Sequence, residues 1–202
     1  MPGYPIAVGE AEVELRFKNS RFIGSVGSAA SIDEAKAFIV TVRARYSDAS
    51  HHCYAFAAGY GATVTHGMSD DGEPSGTAGS PMLAVVKGGG MGDVVVVATR
   101  YFGGTKLGTG GLVKAYTETA QAALAAVPVE QKIETALLRV ELAYDSFAPC
   151  RKRIEDLGAQ IEDEQFADVV QLRVRVAVEQ VQELRTALID MTSGRALVDL
   201  ME

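Results

Sequence analysis

Along residues 11–17, AEVELRF, apolar and polar side chains alternate, which is the period of a strand with one buried face. After the Lys18-Asn19-Ser20 turn, RFIGSVGSA continues extended. The period changes at Ser31. Ile32, Ala35, Phe38, Ile39 and Val42 recur at helical spacing, and Ser31 with Glu34 has the spacing of a capping box. HHCYAFAAGYG reads as a strand, and SPMLAVVKG is compatible with a helix. Residues 94–98, VVVVA, form an unbroken apolar run, as expected of a strand buried on both faces. LVKAYTETAQAALAAV is the clearest helix of the chain.

Pro128 and the polar VEQK break that helix, and the pattern predicts a boundary there, with domains over 1–130 and 131–202. Beyond it the order is strand (ALLRVELAY), helix (DSFAPCRKRIEDLG), strand (AQIEDEQFA), strand (VVQLRVRVAV), helix (EQVQELRTALIDMTSG) and strand (RALVDL). This βαββαβ order is that of the ferredoxin-like split βαβ. Asp145 or Ser146 is expected to cap the first of these helices, with Gly158 and Gly194 ending the two.

Two glycine-rich runs carry the chemistry. The first, DDGEPSGTAGSPM at 70–82, brings Asp70, Asp71 and Glu73; the second, TRYFGGTKLGTGGLVKAY at 99–116, brings Arg100, Lys106 and Lys114. A buried strand that ends in a glycine loop and opens a helix aims free backbone N–H groups, and the positive end of the helix dipole, at one spot. The ligand-binding candidates are therefore Arg100, Tyr101, Gly103, Gly104, Thr105, Lys106, Gly108, Gly110, Gly111 and Lys114, with phosphate or nucleic acid as the ligand. Tyr101 and Phe102 are candidates to stack on bases. The run lacks both G-x-x-x-x-G-K-[ST] and G-x-G-x-x-G, so neither a P-loop nor a dinucleotide fingerprint is present. Tight helix–sheet packing is the competing explanation of these glycines. An alternative acidic site, Asp70, Asp71 and Glu73, would serve as metal ligands or acid–base groups; the competing expectation is a turn whose carboxylates face water.

His51 and His52 are adjacent, so on a strand they face opposite ways and cannot share an ion. Cys53, in an apolar strand, reads as a buried hydrophobe. No metal site and no cofactor are expected.

These two runs, together with SRFIGSV near the start and ASHHCYAF at 49–56, resemble the IMPACT family, in its bacterial, YigZ-like branch. The family's motif residues map onto Asp70, Asp71, Gly72, Glu73, Pro74, Gly76, Thr77, Ala78, Gly79 and Pro81, and onto Arg100–Gly104, Lys106–Gly108, Gly110–Leu112 and Tyr116. The resemblance implies an α+β chain, with an N-terminal ribosomal-protein-S5-domain-2-like domain followed by a ferredoxin-like βαββαβ domain. That pair of folds is similar to the last two domains of translation elongation factor G. It implies a translation-associated regulatory or binding protein in contact with RNA, the ribosome or a phosphate-bearing ligand. A metal-dependent hydrolase or transferase using the 70–79 loop is the alternative.

Charge sharpens this assignment. The 202 residues carry a net charge of −7, which argues against a nonspecific nucleic-acid binder. Residues 133–202 hold 8 Lys and Arg against 14 Asp and Glu, whereas residues 1–132 hold 11 against 12. An anion site therefore belongs on the first domain, and the acidic second domain is suited to a protein partner. The first residues lack the pattern of a signal peptide, and no apolar stretch reaches the roughly 18 residues of a membrane span. A cytoplasmic protein with no membrane partner is expected.

Overall fold

The computed structural model describes residues 3–201, which form an α+β chain with two compact units, one of them Tyr4–Lys132 and the other including the residues from Ile133 onward.

The first unit opens with a short strand, β1 (Tyr4–Ala7), then β2 (Glu10–Phe17) and β3 (Ser20–Ser28). Helix α1 (Ile32–Arg45) follows. Ser31 accepts from the Glu34 N–H at 3.2 Å while the Glu34 carboxylate accepts from the Ala30 N–H at 2.9 Å, so the helix start is capped from both sides. Strands β4 (His51–Ala58) and β5 (Thr65–Ser69) precede α2 (Gly79–Gly88), and β6 (Val94–Tyr101) precedes α3 (Thr109–Ala126).

Five strands make one antiparallel sheet in the order β2-β3-β6-β4-β5. The VVVVA run lies at its centre, buried on both faces as its composition predicts. Val95 and Val97 face α1, with Phe38, Ile39 and Val42. Val94, Val96 and Ala98 face α2 and α3, with Met82, Val86, Leu112 and Tyr116. The sheet is thus the middle of three layers, and both glycine-rich runs leave it on the α2/α3 side.

The pattern along residues 129–132 predicts a polar connection, and the structure corrects it. Val129–Lys132 is a strand, β7, paired antiparallel with β1 from Tyr4↔Lys132 to Ala7↔Val129. The buried Asp93 secures this pair at one end. Its carboxylate accepts from the Tyr4 hydroxyl at 2.9 Å and the Gly59 N–H at 2.8 Å, and it is ion-paired to Lys132. Burial alone would raise its carboxyl pKa, but these donors outweigh burial and hold it below the usual carboxylate range.

The second unit runs β8 (Thr135–Leu142), α4 (Tyr144–Asp156), β9 (Gln160–Phe166), β10 (Val170–Ala177), α5 (Val181–Met191) and β11 (Leu197–Leu200). Its antiparallel sheet has the order β11-β8-β10-β9, the ferredoxin-like arrangement of a βαββαβ chain. Leu138, Val140, Leu172 and Val174 pack on Ile154, Leu184 and Leu188 of the helices. Gly158 and Gly194 take φ of 73° and 82° just past the two helix ends. Neither Asp145 nor Ser146 caps α4: Ala143 is the N-cap residue, and it offers no side-chain acceptor.

Candidate functional site

The site forms where the two glycine-rich runs meet on the first unit. Asp70 builds the first loop. Its carboxylate accepts from the N–H groups of Gly76, Ala78 and Gly79 at 2.8, 2.9 and 2.8 Å. Two of these donors, Ala78 and Gly79, lie at the start of α2, so Asp70 caps that helix from eight and nine residues upstream. Burial would raise its pKa, but the three donors overcome this and hold the carboxyl below its ordinary range.

Asp71, at φ 42°, turns the other way. It accepts from the His52 N–H at 2.6 Å and pairs with Arg43 on α1. Its carbonyl lies 2.8 Å from His51 Nδ1, which fixes that nitrogen as the donor and leaves Nε2 facing Glu73 at 3.9 Å. His52 points elsewhere, with Nδ1 against the Thr99 hydroxyl at 3.1 Å, and burial lowers its pKa. The two histidines therefore face opposite ways, as strand geometry requires.

Glu73 is buried. It accepts from Arg100 Nη1 at 2.6 Å and from the Tyr116 hydroxyl at 2.7 Å. The expectation that the loop's carboxylates face water fails for Glu73, which is buried and binds Arg100 and Tyr116, while Asp70 and Asp71 are half-buried, the first binding backbone and the second Arg43 and His52. The three do not converge on one point, and among the described residues no group of three or more His, Cys, Asp or Glu is arranged to hold a metal ion. Cys53 donates its S–H to the Asp70 carbonyl at 2.9 Å, and burial pushes its thiol up to about 12. It is an inert core residue.

Arg100 is the penultimate residue of the buried central strand and is itself only 5% exposed. Its guanidinium lies 5.5 Å from the ring centroids of both Phe22 and Phe102. Its Nε is buried with no hydrogen-bond partner. A cavity of ≈ 360 Å³ opens beside it, lined by His51, Glu73, Arg100, Phe102, Lys106 and the α3 start at Gly108 and Thr109, with Pro74, Leu107 and Leu112 as apolar walls. Gly108 precedes α3 at φ 75°, which glycine adopts without steric penalty, and this bend places the start of the helix, Gly108 and Thr109, in the cavity wall.

The other predicted contact residues divide. Tyr101 leaves the cavity: its hydroxyl donates to Asp48 at 2.7 Å and Arg21 covers its ring. Gly103 is a packing residue, since a Cβ there would sit 1.9 Å from the Asn19 carbonyl oxygen. Thr105 accepts a long 3.5 Å bond from Asn19, and Gly104 takes φ 82° at the turn. Gly110 and Gly111 lie in the first turn of α3. Lys114 lies further along α3, pairs with Glu118 at 3.8 Å and does not line the cavity. Sequence reasoning missed His51, Leu107 and Leu112 as cavity residues. The apolar pair belongs to the run already singled out, whereas nothing local to His51 signals its approach to Glu73.

The Impact N-terminal domain matches residues 18–124, and a domain of unknown function, DUF1949, matches residues 140–195. The chain belongs to the IMPACT family. It is 32% identical to an IMPACT family member of Haemophilus influenzae over 100% of this chain and 98% of that protein. It is 36% identical to the IMPACT family member YigZ of Escherichia coli K12, over 96% of this chain and 93% of that one. A solved crystal structure of a hypothetical protein, 35% identical, superposes with a TM-score of 0.71 and covers 100% of this chain and 98% of its own. Among the described residues no helix is long and apolar enough to cross a membrane.

Proposed function

We propose that the chain is a cytoplasmic, translation-associated binding protein that holds RNA, free or on the ribosome, through the cavity between the two glycine-rich runs. The observation that carries this reading is the cavity itself, where the exposed Lys106 and the start of α3 at Gly108 and Thr109 meet the aromatic ring of Phe102 beside the Arg100–Glu73 pair. Phe102, 49% exposed beside Arg100, supplies a face for a base. The pairing of an S5-domain-2-like unit with a ferredoxin-like unit, similar to the end of elongation factor G, supports the link to translation.

The second unit does not share this role. Its Arg139, Arg151, Arg153, Arg173, Arg175 and Arg195 are all engaged in ion pairs with its own carboxylates. It presents an acidic surface suited to a basic protein partner, and phosphate is repelled from it.

Co-sedimentation with ribosomes, and RNA binding at graded salt, test the reading. Lys106→Ala removes an exposed side chain and should weaken RNA binding while lowering the salt slope by about 1. Unchanged affinity and slope in the folded variant would return the second run to a packing role.

A further inference from the structure

The second unit carries a surface where aromatic rings stand in solvent beside its acidic groups. Tyr144 opens α4 and Phe166 ends β9, and the two are 54% and 56% exposed. Their ring centroids lie 6.3 Å apart, and Phe166 meets the half-buried Phe147 edge-on at 5.4 Å. The Tyr144 hydroxyl donates to the Ala167 carbonyl at 2.7 Å, which ties the start of the helix to the turn between β9 and β10. Rings held in this way lose little freedom when a partner covers them, and covering them removes apolar area from water. Exposed, pre-positioned aromatic side chains are the usual anchors of a protein interface.

Charge on the rim indicates the partner. Arg151, one helical turn beyond Phe147, stands 5.9 Å from that ring and pairs with Glu155 and Glu164 at 3.1 Å each. One end of the cluster thus already holds a guanidinium between a ring and carboxylates. At the other end, among the described residues, no cation lies over Tyr144 or Phe166. Carboxylates are present there: Asp145 follows Tyr144, and Asp168 lies in the turn just past Phe166. Asp168 is exposed and has no ion pair among the described residues, and Asp145 meets Arg195 only at 3.5 Å in solvent. Four carboxylates against two arginines leave the patch negative. Such a face attracts a guanidinium or ammonium group and repels phosphate.

We propose that this patch, built on Tyr144, Phe166 and Asp168, docks an arginine- or lysine-bearing segment of a protein partner, whose cation repeats at the two exposed rings the arrangement that Arg151 makes at Phe147. This rests on the reading of the acidic second unit as the face for a basic partner and adds the residues that grip it.

The test measures the fluorescence anisotropy of a short labelled peptide of Arg-Ser repeats on the full chain, with a Glu-Ser peptide of equal length beside it. The wild type should bind the basic peptide and not the acidic one. Tyr144→Ser with Phe166→Ser should weaken that binding about fivefold or more, because two cation–ring contacts are lost. Asp168→Asn should weaken it too and lower its dependence on salt. Phe166→Leu keeps the apolar bulk and loses only the ring, so a weakening there, with the circular dichroism unchanged, separates cation binding from folding. Leu197→Ser, at an exposed position on the opposite edge strand β11, should change nothing. Basic-peptide binding that all the patch variants leave intact would overturn the inference while the acidic surface stands. No binding of the basic peptide by the wild type would overturn both. Binding of a single-stranded oligoribonucleotide that the double variant weakens would put RNA on this patch and overturn the proposal.

Discussion

Arg100 Nη1 donates to Glu73 Oε1 at 2.6 Å with both side chains buried, so an ion pair ties the two glycine-rich runs together across 27 positions of sequence. Tyr116, on α3, donates its hydroxyl to the same oxygen, Glu73 Oε1, at 2.7 Å. The cavity wall is therefore part of the core that orders it.

Glu73→Ala should cost about 3–5 kcal/mol in urea unfolding, because it leaves the Arg100 guanidinium buried and unpaired. Adding Arg100→Met should recover a large part of that loss, since the stranded charge is gone. A single-variant loss below about 1 kcal/mol would contradict the buried pair.

Asp70→Asn should destabilise the chain by about 1–3 kcal/mol at neutral pH, because an ionised acceptor of three backbone donors is replaced by a neutral one. The folded pKa lies below the ordinary value, so the ionised group's contribution is complete above the unfolded carboxyl pKa, about 3.9, and is lost as pH falls through the folded value. The gap between wild type and variant should hold constant from pH 7 to 5 and close in acid. A gap that widens as pH falls below 4 would refute this.

That capping role marks the limit of what local pattern reveals. The long elements are legible because each carries its own period: VVVVA as a buried strand, Phe38, Ile39 and Val42 as one helical face, and the alternation along 11–17. The boundary strands are not. Tyr4–Ala7 and Val129–Lys132 are four residues each, and their ladder forms because each finds the other and Asp93 fastens the end. In the candidate site, Arg100, Lys106 and Gly108 follow from a strand–loop–helix string that is contiguous in sequence. Asp70 reaching Gly79, and His51 reaching Glu73, depend on a loop folding back on itself, and no spacing rule encodes that. Lys114 was drawn in by proximity in sequence, yet it lies a further turn along α3 and is absent from the cavity lining.

Cys53 and Cys150 should both resist thiol reagents in the native chain. Each is buried, and burial raises both thiols, Cys53 to about 12. At pH 8 neither should react at the rate of a free cysteine, and both should react once urea unfolds the chain. Rapid native labelling of Cys53 would show that β4 opens.

The two units are proposed to fold as separate domains joined at residues 133–134, an exposed two-residue connection between β7 and β8. A glutamate-specific protease should cut first after Glu134, because that residue is exposed and lies in neither a ladder nor a helix, whereas Glu73, in the first glycine-rich loop, is buried. A first cut within either core would argue against independent domains.

The pairing of β1 with β7 also decides how the first unit answers to pulling. Tyr4 and Lys132, its outermost residues, are partners in the ladder, so tension on the two ends bears on one rung at a time and peels the strands apart like a zipper. Strands loaded in shear would share the force among all rungs at once. The rung that takes the first load is the one that Asp93 grips from both sides, through the Tyr4 hydroxyl and the Lys132 ammonium. A single buried carboxylate thus sits at the tip of the crack, and Asp93→Asn should lower the force at which the unit begins to open in an optical trap.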